Sequence, residues 1–240
     1  MDLNEVLELD LVPRAVLRPV ERDLRIGLVG AGRIVHGEIM PAYRALHLEP
    51  VAVCDPDEGA REKMRDRWGV ENLFEDYRAM IESVDLDVVD INMAWEGDLS
   101  VARVEIVEFA AAEGIHVLIA KPLAETWEQC TQIVEAAARG KVKFAMDLNT
   151  RYAPSLFGCR KLISSGALGE LISASVDYHS GIGRQHTNAF DAVHDNCVHG
   201  TDVLLSWFEE APISVFGNRS RRVDGIGSVL SAIFTFENGA

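Results

Sequence analysis

From residue 24 onward, short and almost unbroken apolar runs alternate with longer stretches in which apolar residues return every three or four positions. LRIGLVG is the first run, and the segment from Arg33 to Leu46 keeps a helical period until HLEP breaks it. VAVCD, LDVVDIN, IHVLIA and VKFAMDLN are the later runs, separated by EGAREKMRDRW, VARVEIVEFAAAEG and TWEQCTQIVEAAARG, which carry helical spacing. A strand covered on both faces has no wet side, so it reads as continuously apolar. Runs of that kind, bounded by helical stretches of about ten to fifteen residues, predict successive βαβ units and a mostly parallel sheet with helices on both faces. This pattern accounts for residues 24–148.

After Asn149 the pattern changes. A helix-like PSLFGCRKLISSG leads to LISASVDYH, where small or polar residues alternate with apolar ones, and ISVFGNR and SVLSAIFTF repeat that alternation. Such segments predict antiparallel strands with one wet face. The chain stops at FENGA, where Asn238-Gly239 is a hairpin-turn signal with no returning strand. The expectation for 149–240 is therefore an α+β domain whose open antiparallel sheet is incomplete. Residues 1–23, with Pro13, Pro19 and mixed charge, read as an extension with room for one short helix.

Composition narrows the setting. Of 240 residues, 48% are hydrophobic and 25% charged, which supplies a packed core. The net charge of -15 repels a nucleic-acid backbone or an anionic membrane surface, and no dense Lys/Arg run offsets it. Arg219, Arg221 and Arg222 read as a solvated turn. Cys54, Cys130, Cys159 and Cys197 show no CxxC spacing, and the acidic MDLNEVLELD lacks the parts of a signal peptide. These features predict a cytoplasmic protein with reduced thiols and neither nucleic-acid nor membrane partners. No apolar run approaches the ~18 residues of a membrane helix.

GLVGAGRIV places Gly30 and Gly32 between the first predicted strand and the first predicted helix. In a dinucleotide-binding turn the first glycine permits the bend and the second lets the backbone approach a pyrophosphate, while the helix N-terminus offers free N–H groups to it. Asp55 ends the second strand, 25 residues beyond Gly30, where a carboxylate would accept hydrogen bonds from ribose hydroxyls. Val35 occupies the third small position and predicts slightly wider helix-to-strand packing. Asp55, Asp57 and Glu58 would face a 2'-phosphate with no adjacent cation, which favours NAD over NADP.

IHVLIAKPLAET, DLNTRYAP and HDNCVHGTD, in that order, resemble the glucose-fructose oxidoreductase and inositol dehydrogenase (Gfo/Idh/MocA) family. Its Glu-Lys-Pro motif matches Ala120, Lys121 and Pro122. Its Asn-x-Arg-x-x-Pro motif matches Asn149, Arg151 and Pro154, and its Asp-x-Gly-x-His-x-x-Asp motif matches Asp195, Cys197, His199 and Asp202. The resemblance implies an N-terminal Rossmann domain, a C-terminal open antiparallel sheet and an NAD-dependent oxidoreductase acting on a secondary alcohol of a sugar or cyclitol. It further implies cofactor contacts from Gly30, Gly32, Arg33, Ile34, Asp55, Met93, Ala94 and Lys121, and a substrate site with Lys121, Asn149, Arg151, Tyr152, Asp195 and His199. Three departures stand out: Ala120 for glutamate, Cys197 for glycine, and WEGDLSVAR in place of the family's proline pair and histidine, with about five residues inserted.

In HDNCVHGTD, a helix beginning near Asp195 would put Asp195 and His199 on one face and turn Cys197 away, so no metal is expected. Read alone, Asp195 would cap the helix, His199 would be a core histidine and Asp202 would be solvated. With a nicotinamide site upstream, the stretch predicts catalysis. Alcohol oxidation needs a base near neutral pKa, for which His199 is the natural choice, with Lys121 as the alkoxide stabiliser or the alternative base and Asp195 as an orienting group. Tyr178, His179 and His186 are further candidates for the cleft. Two other readings remain open at this stage: a lyase or glycosidase that keeps NAD bound through a transient oxidation, and a non-catalytic NAD sensor or scaffold. The sheet after Ser173 predicts a homo-oligomer through its broad face.

Overall fold

The computed structural model describes residues 23–177, 189–221, 228–237 and 239. The expected extension over 1–23 lies almost wholly outside them, as do Tyr178, His179 and His186. Two compact units part after Asp147.

In the first unit β1 (Ile26–Val29) leads into helix α1, which is π-wound over Val35–Ile39 and α-helical over Met40–Ala45. There follow β2 (Ala52–Cys54), α2 (Glu58–Trp68), β3 (Asn72–Phe74), α3 (Tyr77–Ser83) and β4 (Val88–Ile91). Then come α4 (Asp98–Ala112), β5 (His116–Ala120), α5 (Trp127–Gly140) and β6 (Phe144–Asp147). The six strands are parallel in the order β3-β2-β1-β4-β5-β6. This is the doubly wound arrangement expected from the apolar runs. The chain leaves β1 in one direction for β2 and β3 and returns on its other side for β4, so a crevice opens at the carboxyl ends of β1 and β4.

Each face of the sheet is closed by a separate apolar layer. Leu28 and Val53 pack with Val35 and Met40 of α1 and Met64 of α2 on one face. Val89, Ile91 and Ile119 pack with Met80 of α3, Val107 of α4 and Ile133 of α5 on the other. Short polar caps set where the helices begin: Asp57 accepts from the Ala60 N–H at 2.6 Å, Asp76 from that of Arg78 at 2.9 Å, and Thr126 forms a capping box with Gln129. The pair β3 and α3 had no counterpart in the apolar pattern. A three-residue strand at the sheet edge with no fully buried side chain leaves no apolar run to read.

The second unit opens with a single 3-10 turn, Asn149–Tyr152, followed by α6 (Pro154–Ser164), α7 (Ala189–Phe208) and the antiparallel pair β7 (Ser214–Arg221) and β8 (Ser228–Thr235). ISVFGNR and SVLSAIFTF thus form strands as expected. LISASVDYH does not over its described part: residues 171–177 have no sheet partner, and alternation alone cannot hold a strand without a neighbour to hydrogen-bond. A two-stranded ribbon is marginal by itself. It leans on α7 through a stacked Phe208–Phe236 pair, 4.0 Å between ring centroids, while Ile213, Val215, Phe216 and Ile233 stay exposed. The expected helix start near Asp195 also moves. The helix begins at Ala189, so Asp195 lies within it and is not its cap. Among the described residues no helix is long and apolar enough to cross a membrane.

One acid is buried in the sheet itself. Asp90 of β4 is 2% exposed and accepts a hydrogen bond from the Tyr43 hydroxyl at 2.6 Å. Burial pushes its carboxyl up to about 6, with the Tyr43 and Asn92 side chains opposing the rise and Asp147 adding to it. Between about pH 4, where a free aspartate titrates, and about 6, the folded state holds a proton that the unfolded chain has released. Stability therefore falls as pH rises through that window and carries a penalty of ~3 kcal/mol above it. Asp90→Asn should exceed the wild type in stability at pH 7.5 and lose that advantage by pH 4. Urea melts giving the same difference between variant and wild type at both values would contradict this.

Candidate functional site

The turn after β1 is fixed by one close approach. The Gly30 N–H donates to the Cys54 carbonyl at 2.8 Å, its φ is +95°, and a Cβ there would lie 2.6 Å from the Asn92 carbonyl oxygen. No other residue fits. Two positions on, a Cβ at Gly32 would meet nothing within 4 Å, so the backbone is bare toward the crevice, as a pyrophosphate requires. Arg33 and Ile34 start α1 beside it and are exposed. Val35 is fully buried in the layer beneath, and the helix is under-wound over Val35–Ile39, where it faces this larger residue. Asp55 crosses the mouth of the turn: one carboxylate oxygen accepts from the Ala31 N–H at 2.8 Å and the other from that of Asp57 at 2.9 Å. The expectation of no adjacent cation needs correction. Arg61, one turn into α2, donates to the backbone carbonyls of Asp55 at 2.6 Å and Pro56 at 3.1 Å.

On the other side of the crevice the carboxyl ends of β4 and β5 carry Met93, Ala94 and Lys121. The inserted stretch is packed: Trp95 is buried, and the Gly97 N–H donates to the Glu125 carboxylate at 2.9 Å. Ser100 accepts from the Glu125 N–H at 2.9 Å and donates to Gln129 at 2.8 Å. Lys121 is half-buried and precedes Pro122 through a cis peptide. At the centre lies Arg103 of α4, 1% exposed. It donates to the carbonyls of Ala120 at 3.0 Å and Leu123 at 3.2 Å, and also to those of Pro122 and Met93. Burial lowers its pKa to about 10, so it stays charged at neutral pH. Sequence reasoning passed over Arg103. The available signal was its place on the buried stripe of α4, in step with Ser100, Val107 and Ala111.

In the second unit the Asn149–Tyr152 turn is tied to α7. The Arg151 guanidinium grips both carboxylate oxygens of Asp202, with Nε at 2.6 Å from one of them. Asp202 is 6% exposed, so the reading of it as solvated is overturned: its carboxylate is buried against the turn and paired with Arg151. A charge in that position requires its partner, and Arg151 spends its fork on Asp202. Asn149 and Tyr152 are exposed. His199 is 8% exposed, and Cys197 is half-buried with its thiol pKa raised by burial. The Asp195 backbone lies in α7 one turn before His199, and its side chain is outside the description. Among the described residues no three His, Cys, Asp or Glu side chains gather as metal ligands would.

Comparison with known proteins bears on this arrangement. Residues 24–148 match a family described as an oxidoreductase family with an NAD-binding Rossmann fold. Levoglucosan dehydrogenase from Pseudarthrobacter phenanthrenivorans is 31% identical over 163 residues, covering 63% of this chain and 40% of the relative. Inositol 2-dehydrogenase from Acidothermus cellulolyticus is 27% identical over 208 residues, covering 84% of this chain and 59% of the relative. The chain thus spans about half the length of these relatives. An oxidoreductase from Agrobacterium radiobacter, solved with NAD+, L-tartaric acid and magnesium, superposes with a TM-score of 0.75 at 19% identity, over 91% of this chain and 65% of that one.

Proposed function

The chain belongs to the Gfo/Idh/MocA oxidoreductase family, whose Rossmann fold binds NAD, and from that premise we propose that it transfers a hydride between a secondary alcohol of a sugar or cyclitol and NAD. The observation that carries this reading is the Gly30 turn, bonded across to Asp55 where the strand order reverses, with open space above Gly32. The relatives named for levoglucosan and inositol support the substrate class.

When bound, NAD supplies the hydride acceptor. The chain's own residues do the remaining work. The N–H groups at the start of α1, beside Gly32, Arg33 and Ile34, hold the pyrophosphate, and the Asp55 carboxylate accepts from the ribose hydroxyls. Met93, Ala94 and Lys121 bound the nicotinamide end. His199 takes the hydroxyl proton, because an imidazole titrates near operating pH. The Lys121 ammonium donates to the same oxygen and stabilises the charge that develops on it. Asn149, Tyr152 and Asp195 contribute polar contacts to a polyhydroxylated ring, while Arg151 acts mainly by holding the turn that carries Asn149 and Tyr152.

Calorimetry on the full-length chain should show NAD binding more tightly than NADP, since Asp55 repels a 2'-phosphate and Arg61 is turned to backbone carbonyls. Asp55→Ala should cost NAD ~1 to 3 kcal/mol, and equal wild-type affinities for the two cofactors would sink the preference. In an assay of NADH formation on a panel of sugars and cyclitols, His199→Ala and Lys121→Ala should each lower turnover by ~10² or more with little change in NAD affinity. Cys197→Ala should stay close to wild type. His199→Ala turning over at near wild-type rate across the pH range would remove the base assignment. Finally, the exposed Ile213, Val215, Phe216 and Ile233 support a homo-oligomer formed through the β7–β8 sheet. Sedimentation of the full-length protein at micromolar concentration checks this, and a monomer refutes it.

A further inference from the structure

Past Ile91 with Ile119, β4 and β5 are no longer bonded to each other: β4 passes into a loop after Asn92, and β5 keeps only the pairing of Ala120 with Asp147 of β6. The ladder no longer sets their spacing there. A dinucleotide lying across the carboxyl ends of this sheet has its adenosine half on the β2 side, at Asp55, which leaves the nicotinamide half to these two strand ends. Arg103 joins them: one terminal nitrogen donates to the Met93 carbonyl, and the other to the carbonyls of Ala120, Pro122 and Leu123. At 1% exposure no water can replace these bonds.

We propose that Arg103 is the positioning residue of the nicotinamide half of the cleft, fixing Met93 and Lys121 relative to each other by gripping the backbone on both sides of the crevice floor. The proposal rests on the NAD reading above. The residue before Lys121 is Ala120, whose methyl side chain offers no hydrogen bond. The peptides on both sides of Lys121 are instead held by their carbonyls, Ala120 before it and Pro122 after it, and both bonds come from Arg103. Only a planar, multiply donating guanidinium spans two loops at once; an ammonium is a point charge with no fixed fork. The far end of the inserted loop is closed separately by Gly97 on Glu125, so the stretch is anchored at both ends.

The test compares two ligands that differ only at the ring Arg103 is argued to serve. The full-length chain is titrated with NAD and with ADP-ribose, which lacks nicotinamide, for the wild type, Arg103→Gln and Arg103→Lys. Arg103→Gln should weaken NAD by about tenfold or more and leave ADP-ribose within about twofold, and Arg103→Lys should recover only part of the loss. A merely structural role would weaken both ligands together, and that result, or no change in either, overturns the proposal. Where the glutamine variant does not fold, the lysine variant decides by the same ratio. A wild type that binds neither ligand removes the NAD reading and this proposal with it, whereas a wild type binding both with an unchanged ratio in the variants removes this proposal alone.

Discussion

The crevice exists because β1 and β4 run so close where their loops leave the sheet that the Gly30 Cα has room only for hydrogen on its inner side. A methyl group there would press on the Asn92 carbonyl at 2.6 Å. The contact does two things together. It forces the left-handed turn that swings the chain toward α1, and it brings the loop after β4 beside the turn after β1. The N–H of Asn92 bonds to the Val29 carbonyl at 2.7 Å, which continues the ladder by one more step and locks that approach. Separate the two strands by a methyl group and the pyrophosphate lip and the nicotinamide lip would no longer share an edge.

Among the described residues of each unit, taken separately, buried charge also holds irregular backbone. In the first unit Arg103 satisfies four carbonyls at and beyond the ends of β4 and β5, and in the second Asp202 receives the fork of Arg151. Loop carbonyls cannot find ladder partners, and leaving each of them dry and unbonded costs ~1 to 3 kcal/mol. A cation buried among several of them loses much hydration but answers them together. This also explains why removing one partner of such a set is costly even where the set as a whole contributes little net stability.

These charges mark the limit of what the sequence could disclose. The parallel sheet was legible because strands covered on both faces must be apolar throughout, and IGLV, AVC and VVDI are nearly so. The glycine turn and Asp55 were legible because a phosphate-binding bend demands glycine at fixed spacing from a strand end. Arg103 was not, since an arginine on a helix looks the same whether its guanidinium meets water or carbonyls, and only its register with Val107 and Ala111 hinted at burial. Asp202 failed in the same manner: read as solvated, it is buried with its carboxylate gripped by Arg151 from a turn about fifty residues earlier, a pairing that no local spacing signals. Arg61 shows the converse, a cation within α2 whose turn back onto Asp55 no spacing rule supplies.

Charge itself also shapes how the cofactor would be gripped. A chain of net charge -15 is a poor host for a pyrophosphate if recognition depends on its overall field. At physiological ionic strength that field fades within ~8 Å, so what decides is the local arrangement. At the lip of the crevice the groups facing the pyrophosphate are backbone N–H dipoles at the start of α1, which need no counter-charge and cannot be screened by burial of the ligand. Asp55 is already bonded to the Ala31 and Asp57 N–H groups, and on the proposed reading its remaining acceptor capacity serves neutral ribose hydroxyls. On that reading, recognition of the anion by dipoles and of the ribose by a carboxylate lets an acidic chain hold a dianionic pyrophosphate. On the proposed reading, the same division sets the Asp55 carboxylate against a further phosphate on that ribose.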